Sequence, residues 1–180
     1  MLNLLRSIAV GAFIFIAPAS LAQIPGVSVG LGGGPSFPVG TFSDNLDPGY
    51  HLQGTANVSI ILLPVDVRAN LAYHRLPDER GGHGSLVSGD VNVRLEIPTF
   101  PVLVSPYVLG GVGIYRTAFS EDHGISHNAE TRTDFGINAG AGIEINLMIL
   151  DLFVEARAHN VFASAIGNRP FIPVTLGVMF

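Results

Sequence analysis

Six ionisable side chains of opposite sign, Arg68, Arg94, Glu96, Glu144, Glu155 and Arg157, sit in segments where apolar and polar residues take turns. In each case the residues on either side are Val, Leu, Ala or Ile, and the next residues of like parity are mostly Asn, Asp, Gly, His or another of the six. A strand sends successive side chains to opposite faces, so all six charges belong to one face and the oily residues to the other. Charges enclosed by a low-dielectric wall are unstable alone, so these Arg and Glu side chains are expected to bridge one another. Such a set serves either as a gate across a narrow pore or as a structural plug. The width of the enclosure decides between them.

Histidines supply the next candidate chemistry. If residues 61–64 form a tight turn, His51 falls opposite His74 on the charged face, with Asp47 and Asp78 in nearby loops. Two imidazoles without a clear third ligand make a weak metal site, so they read as a polar rim pair and no metal is expected. His123 and His127 lie in HGISH, where Gly124 and the loop context spoil a helical pair of ligands. The glycine run Gly30–Gly34 lacks the following helix and Lys of a phosphate loop. Glycine there permits close strand approach and a bend. No cofactor is expected.

The elements that position these residues are strands. Residues 131–147 show it best: Phe135, Ile137, Ala139, Ala141, Ile143, Ile145 and Leu147 alternate with Arg132, Asp134, Gly136, Asn138, Gly140, Gly142, Glu144 and Asn146. Seven more segments carry strand signals: Gly26–Gly34, Gly49–Ile60, Val65–His74, Leu86–Ile97, Val102–Arg116, Asp151–His159 and Phe171–Phe180. Val102–Arg116 is apolar or small on both faces, so its register is the least determined. Connections of two kinds take turns. Residues 61–64, 98–101 and 147–150 are tight, whereas 35–48, 75–85, 117–130 and 160–170 are longer and richer in Asp, Pro, Gly and His. Short turns at one end and long loops at the other are the habit of transmembrane β-barrels, the long ones being extracellular. Tight turns also imply register: Asn57 opposite Arg68, Arg94 opposite Ser105, Gly142 opposite Glu155, Gly140 opposite Arg157, and Asn138 opposite His159. Two glycines facing two long charged side chains leave room where a narrow barrel needs it.

Composition agrees with a chain that meets two solvents. Hydrophobic residues make up 48% and charged residues 13%. All nine basic residues are Arg, whereas a water-facing exterior normally carries Lys. The formal charge of −5 argues against nucleic acid as a partner. Without Cys, nothing staples the chain covalently. Arg6, the apolar run Ile8–Ile16, Pro18, and the small residues Ser20 and Ala22 read as a signal peptide over residues 1–22. Residues 23–180 then form one domain. No segment after the leader is long and apolar enough for a spanning helix.

The GGGPSFPVGTF run, SPYVLGGVGIYR, FVEARAHN and the closing FIPVTLGVMF resemble the small eight-stranded outer-membrane β-barrels of Gram-negative bacteria, the OmpA-type and opacity-antigen-like domains. The resemblance covers most of residues 23–180 and implies an all-β, eight-stranded antiparallel up-and-down transmembrane barrel. It implies partners too: outer-membrane lipid, and the barrel-assembly machinery, which would read the alternating last strand ending at Phe180. Nothing in the chain resembles a peptidoglycan-binding domain. Some barrels of this kind deacylate lipid A with a His, a Ser two residues later and an acid. Here His159 is followed by Asn160 and Val161, and Ser164 is five residues on, so no enzyme is expected. An eight-stranded interior is only wide enough for side chains, which favours the plug. The function expected is that of a monomeric outer-membrane surface or structural protein. A small passive pore, a lipid-modifying enzyme and a soluble lipocalin-like binding barrel are the alternatives.

Overall fold

Alternation of side-chain character organises nearly all of the described chain. The computed structural model describes residues 26–43, 46–60, 65–77, 83–99, 103–120, 131–147, 149–163 and 167–180. The leader over residues 1–22, Asp78, the HGISH histidines and Ser164 lie outside the described residues. Eight strands follow one another: β1 (Val27–Pro38), β2 (Gly49–Ser59), β3 (Val65–Pro77), β4 (His83–Glu96), β5 (Val104–Ser120), β6 (Thr131–Asn146), β7 (Asp151–Phe162) and β8 (Arg169–Met179). Each pairs antiparallel with the next, and β8 pairs with β1, closing the sheet into a barrel. Closure removes both sheet edges. The seam is completed by Phe180, whose backbone exchanges hydrogen bonds of 2.8 and 3.0 Å with Val29.

Several strands run further into the long connections than the alternating spans suggest. β3 reaches Pro77, β4 begins at His83, β5 reaches Ser120, β7 reaches Phe162 and β8 begins at Arg169. The reason is that inward packing continues there through Leu76, Thr117, Val161 and Arg169, all buried. Outward Arg75, Ser85, Arg116 and Asn160 blur the polar–apolar contrast at the same height.

Register agrees with the tight-turn reading at two hairpins and departs from it at a third. Asn57 lies opposite Arg68 and His51 opposite His74 between β2 and β3. Gly142, Gly140 and Asn138 lie opposite Glu155, Arg157 and His159 between β6 and β7. Between β4 and β5, however, Arg94 faces Leu109 rather than Ser105, and Glu96 faces Tyr107. Pro98 has no N–H to donate, and β4 ends just before it, at Glu96. Ile97 N–H donates to the Pro106 carbonyl at 2.8 Å as pairing ends.

The barrel is oily outside and polar within. Leu71, Leu52, Ile114 and Val93 are 66, 64, 62 and 57% exposed, whereas Arg68, Glu155 and Arg94 are 0, 1 and 3% exposed. A barrel dissolved in water puts its apolar face inward. This reversed polarity overturns the soluble lipocalin-like alternative, because the exposed face is one that only hydrocarbon solvates well.

Candidate functional site

The lumen is built in layers, each fixed by which inward position a strand offers at that height. Nearest the short turns, Arg94 of β4 donates from Nη1 to Asp66 Oδ2 (2.6 Å) and from Nη2 to Glu144 Oε2 (3.1 Å). Its guanidinium lies 4.3 Å from the centre of the Tyr107 ring. Glu96 stands at the margin of this layer, 3.8 Å from Arg94 Nη1 with its side chain 40% exposed.

One layer further in, Arg68 of β3 crosses the barrel to β7. Its Nε donates to Asn57 Oδ1 (2.7 Å) and its Nη1 to Glu155 Oε2 (2.7 Å). Tyr107 Oη donates to the same carboxylate oxygen at 2.8 Å. Nη2 of Arg68 is 4.0 Å from Glu144 Oε2, which links the two layers. The Tyr107 and Phe153 rings lie 5.1 and 5.7 Å from the Arg68 guanidinium, a contact that favours a cation shielded from water. Arg157 tops this group: Nη1 donates to Asp90 Oδ1 and Nη2 to Gln53 Oε1, both at 2.9 Å. Its Nε lies 2.7 Å from Glu155 Oε1, an ion pair without hydrogen-bond geometry. Asp90 Oδ1 also accepts from Asn70 and Asn92.

All six candidate charges therefore face the lumen. Arg68, Arg94, Glu144, Glu155 and Arg157 form one connected set, and Glu96 is peripheral. Sequence reading left Asp66, Asp90, Gln53 and Tyr107 out of that set. Asp66 and Asp90 carried the right parity, but Tyr107 lies in a segment with no polar face to mark it. Gly140 leaves room for its β7 partner, since a Cβ there would come within 2.4 Å of the Arg157 Cγ atom, but Gly142 makes room for a different side chain. A Cβ on Gly142 would come within 2.5 Å of the Tyr107 Cζ and Oη atoms, so this glycine admits a ring from β5.

Toward the long-loop end, the His51 and His74 rings stack with centroids 5.2 Å apart. Ser36 Oγ lies 3.2 Å from His51 Nδ1 and 3.0 Å from His74 Nδ1, and His51 Nε2 is 2.9 Å from Thr175 Oγ1. Asp47, the other described member of the notional metal set, is exposed and donates its backbone N–H to the Pro77 carbonyl. His159 binds Tyr115 Oη through Nδ1 at 2.8 Å and stacks on Phe171. Above it Leu86, Tyr115, Val161 and Phe171 form a buried apolar cluster, with Phe42 packed against it. That cap was not legible beforehand, because its members come from four strands and a turn.

Ionic layers crossed by a histidine layer and roofed by apolar side chains can brace a barrel and resist water. Ser36 and His74 have the spacing of a nucleophile and base, yet they are 0 and 1% exposed. A substrate would have to displace the packing to reach them.

No protein-family model matches the chain, and no curated protein matches its sequence. Solved structures do match its fold. Neisserial surface protein A (NspA) aligns over 86% of this chain and 96% of its own, with 16% identity and a TM-score of 0.70. The outer membrane enzyme PagL aligns over 86% and 98%, with 12% identity and a TM-score of 0.54. Ail, the attachment invasion locus protein of Yersinia pestis, aligns over 87% and 100%, with 19% identity and a TM-score of 0.52. Together with the oily girth and the charged lumen, these likenesses give the chain the fold of the small eight-stranded outer-membrane β-barrels.

Proposed function

We propose that this chain is a closed structural and surface-interaction barrel of the outer membrane, one that neither conducts solute nor modifies lipid. The single observation behind the reading is the filled lumen. Arg68 spans the interior to Glu155, Arg157 spans it to Gln53 and Asp90, and the apolar cluster roofs the long-loop end. Arg68, Arg94, Arg157, Glu144 and Glu155 each already hold an opposite charge in a narrow low-dielectric interior, so opening a water path means separating buried ion pairs. The closed sheet needs no second chain to complete it, which suits a monomer.

NspA is a surface protein and Ail an attachment protein by name, and either role would be carried here by the loops between β1 and β2, β3 and β4, β5 and β6, and β7 and β8. PagL demonstrates that the same fold supports an enzyme. In this chain the Ser36–His74 contact is the feature that would invite that reading, and its burial argues against it.

Planar-bilayer recording of the purified barrel tests the proposal. Wild-type protein should show no discrete current steps, and reproducible unitary conductance would overturn the plug. Mass spectra of lipid A from cells with and without the protein should coincide; a mass loss equal to an acyl chain would reinstate the enzyme.

A further inference from the structure

Among the described strand positions, every acidic side chain points inward: Asp66, Asp90, Glu96, Asp134, Glu144, Asp151 and Glu155 share the parity of the buried residues on their strands. Arg68, Arg94, Arg132, Arg157 and Arg169 do the same. Two charges break the rule, Arg75 of β3 and Arg116 of β5, both exposed on the outer face. Both are cations, and both lie at the long-loop end. They are also close together. Arg75 pairs with Ser85 and Arg116 with Val87, so a single strand, β4, separates them. Strand spacing and rise put their Cα atoms about 12 Å apart, near enough for two long side chains to converge on one group over Ser85. Tyr50 lies opposite Arg75 and Tyr73 opposite Val87, both outward, so two phenol groups border the patch.

A cation on the outer wall of a barrel is unfavourable where it meets hydrocarbon, less so near the interface, and it gains from an anion placed there by the membrane itself. Among the described strand positions no outward carboxylate supplies that anion; the exposed Asp47 lies beyond the strands, against Pro77. A guanidinium matches a phosphate in shape, since its planar fork donates two parallel N–H groups to two oxygens. Tyrosines at such a rim put their rings in the interfacial region and their hydroxyls among headgroups.

We propose that Arg75 and Arg116, with Tyr50, Tyr73 and Ser85, form an external site for the phosphate group of a phosphorylated lipid in the outer leaflet. The site rests on the reading of the barrel as an outer-membrane protein with its long loops outside. It adds a lipid headgroup as a specific partner and identifies the side of the barrel that holds it.

The test is native mass spectrometry of the intact barrel in detergent micelles titrated with lipid A, compared with lipid A stripped of both phosphates. Wild type should retain the phosphorylated form at least tenfold more strongly. Arg75→Gln and Arg116→Gln should each reduce that preference, and the double substitution should abolish it. Both positions face outward, and each variant is first checked for folding by heat-modifiable gel migration. An undiminished preference in the folded double variant overturns the site, as does equal retention of the two lipids by wild type. Displacement of lipid A by millimolar inorganic phosphate would show a general anion site and overturn the lipid assignment. The outer-membrane reading is checked separately by carbonate-resistant pelleting of the barrel with vesicles. Its failure is thus distinct from failure of the phosphate site.

Discussion

Glu155 is the hinge of the lumen network, and replacing it with Gln is the sharpest perturbation available. Gln keeps the volume and one carbonyl oxygen but removes the negative charge. Glu155 is 1% exposed, accepts from Arg68 at 2.7 Å and from Tyr107 at 2.8 Å, and pairs with Arg157 at 2.7 Å. Removing one member of a buried ion pair typically costs about 3–5 kcal/mol, because the partner stays buried without its counter-charge. Arg157 still holds Asp90, and Arg68 still has Glu144 at 4.0 Å, so the low end applies. A loss of about 3 kcal/mol is a change of roughly 150-fold in the unfolding equilibrium constant. Urea titration of the barrel folded in lipid vesicles, followed by heat-modifiable gel migration, reads that shift directly. The pairing itself is isolated by a cycle with Arg68→Met and Glu155→Met, where the double variant should lose less than the two singles combined. A coupling of about 0.5–3 kcal/mol is expected for groups in one network. An unchanged midpoint in Glu155→Gln, or strict additivity in the cycle, would refute the claim that this pair braces the lumen.

Three further outcomes follow from position alone. Glu96→Gln should change stability by no more than about 1 kcal/mol in the same titration, because its side chain is 40% exposed and 3.8 Å from Arg94. Gly142→Ala should destabilise by about 1–3 kcal/mol, since the new methyl meets the Tyr107 ring, whereas Gly89→Ala, with nothing within 4 Å of its Cβ, should stay within about 0.5 kcal/mol. Equal losses at the two glycines would mean that lumen packing is looser than the distances indicate. Val91→Arg, at an outward position 54% exposed near the middle of β4, should cost about 2–4 kcal/mol of folding free energy in vesicles. Neutral behaviour there would contradict a hydrocarbon-facing wall.

How much of this was legible in the chain can be judged residue by residue. The period of two is a local property, and it survives into the structure: Arg68, Arg94, Glu144, Glu155 and Arg157 face inward as their parity requires, and Val93 and Ile143 face outward. Hairpins with tight connections carried their register in their lengths, which is why Asn57 meets Arg68 and Gly142 meets Glu155. The β4–β5 hairpin did not. Pro98, just past β4, offers the ladder no donor, and β5 has no polar face against which a slip would show.

What lay beyond the sequence was everything that depends on closure. Parity groups side chains on one face but does not say which strand each will meet across the lumen. Arg68 reaches Glu155 over a separation of 87 residues, and Arg157 reaches Gln53 over 104. Those partnerships are set by the curvature and stagger of the closed sheet, to which all eight strands contribute at once. The chain alone settled which residues share a face, because that follows from the backbone pleat, while the closed barrel decided that the charged face is the inner one. Only the assembled barrel decided which charges neutralise one another, because that is a matter of distance across a space no single segment encloses.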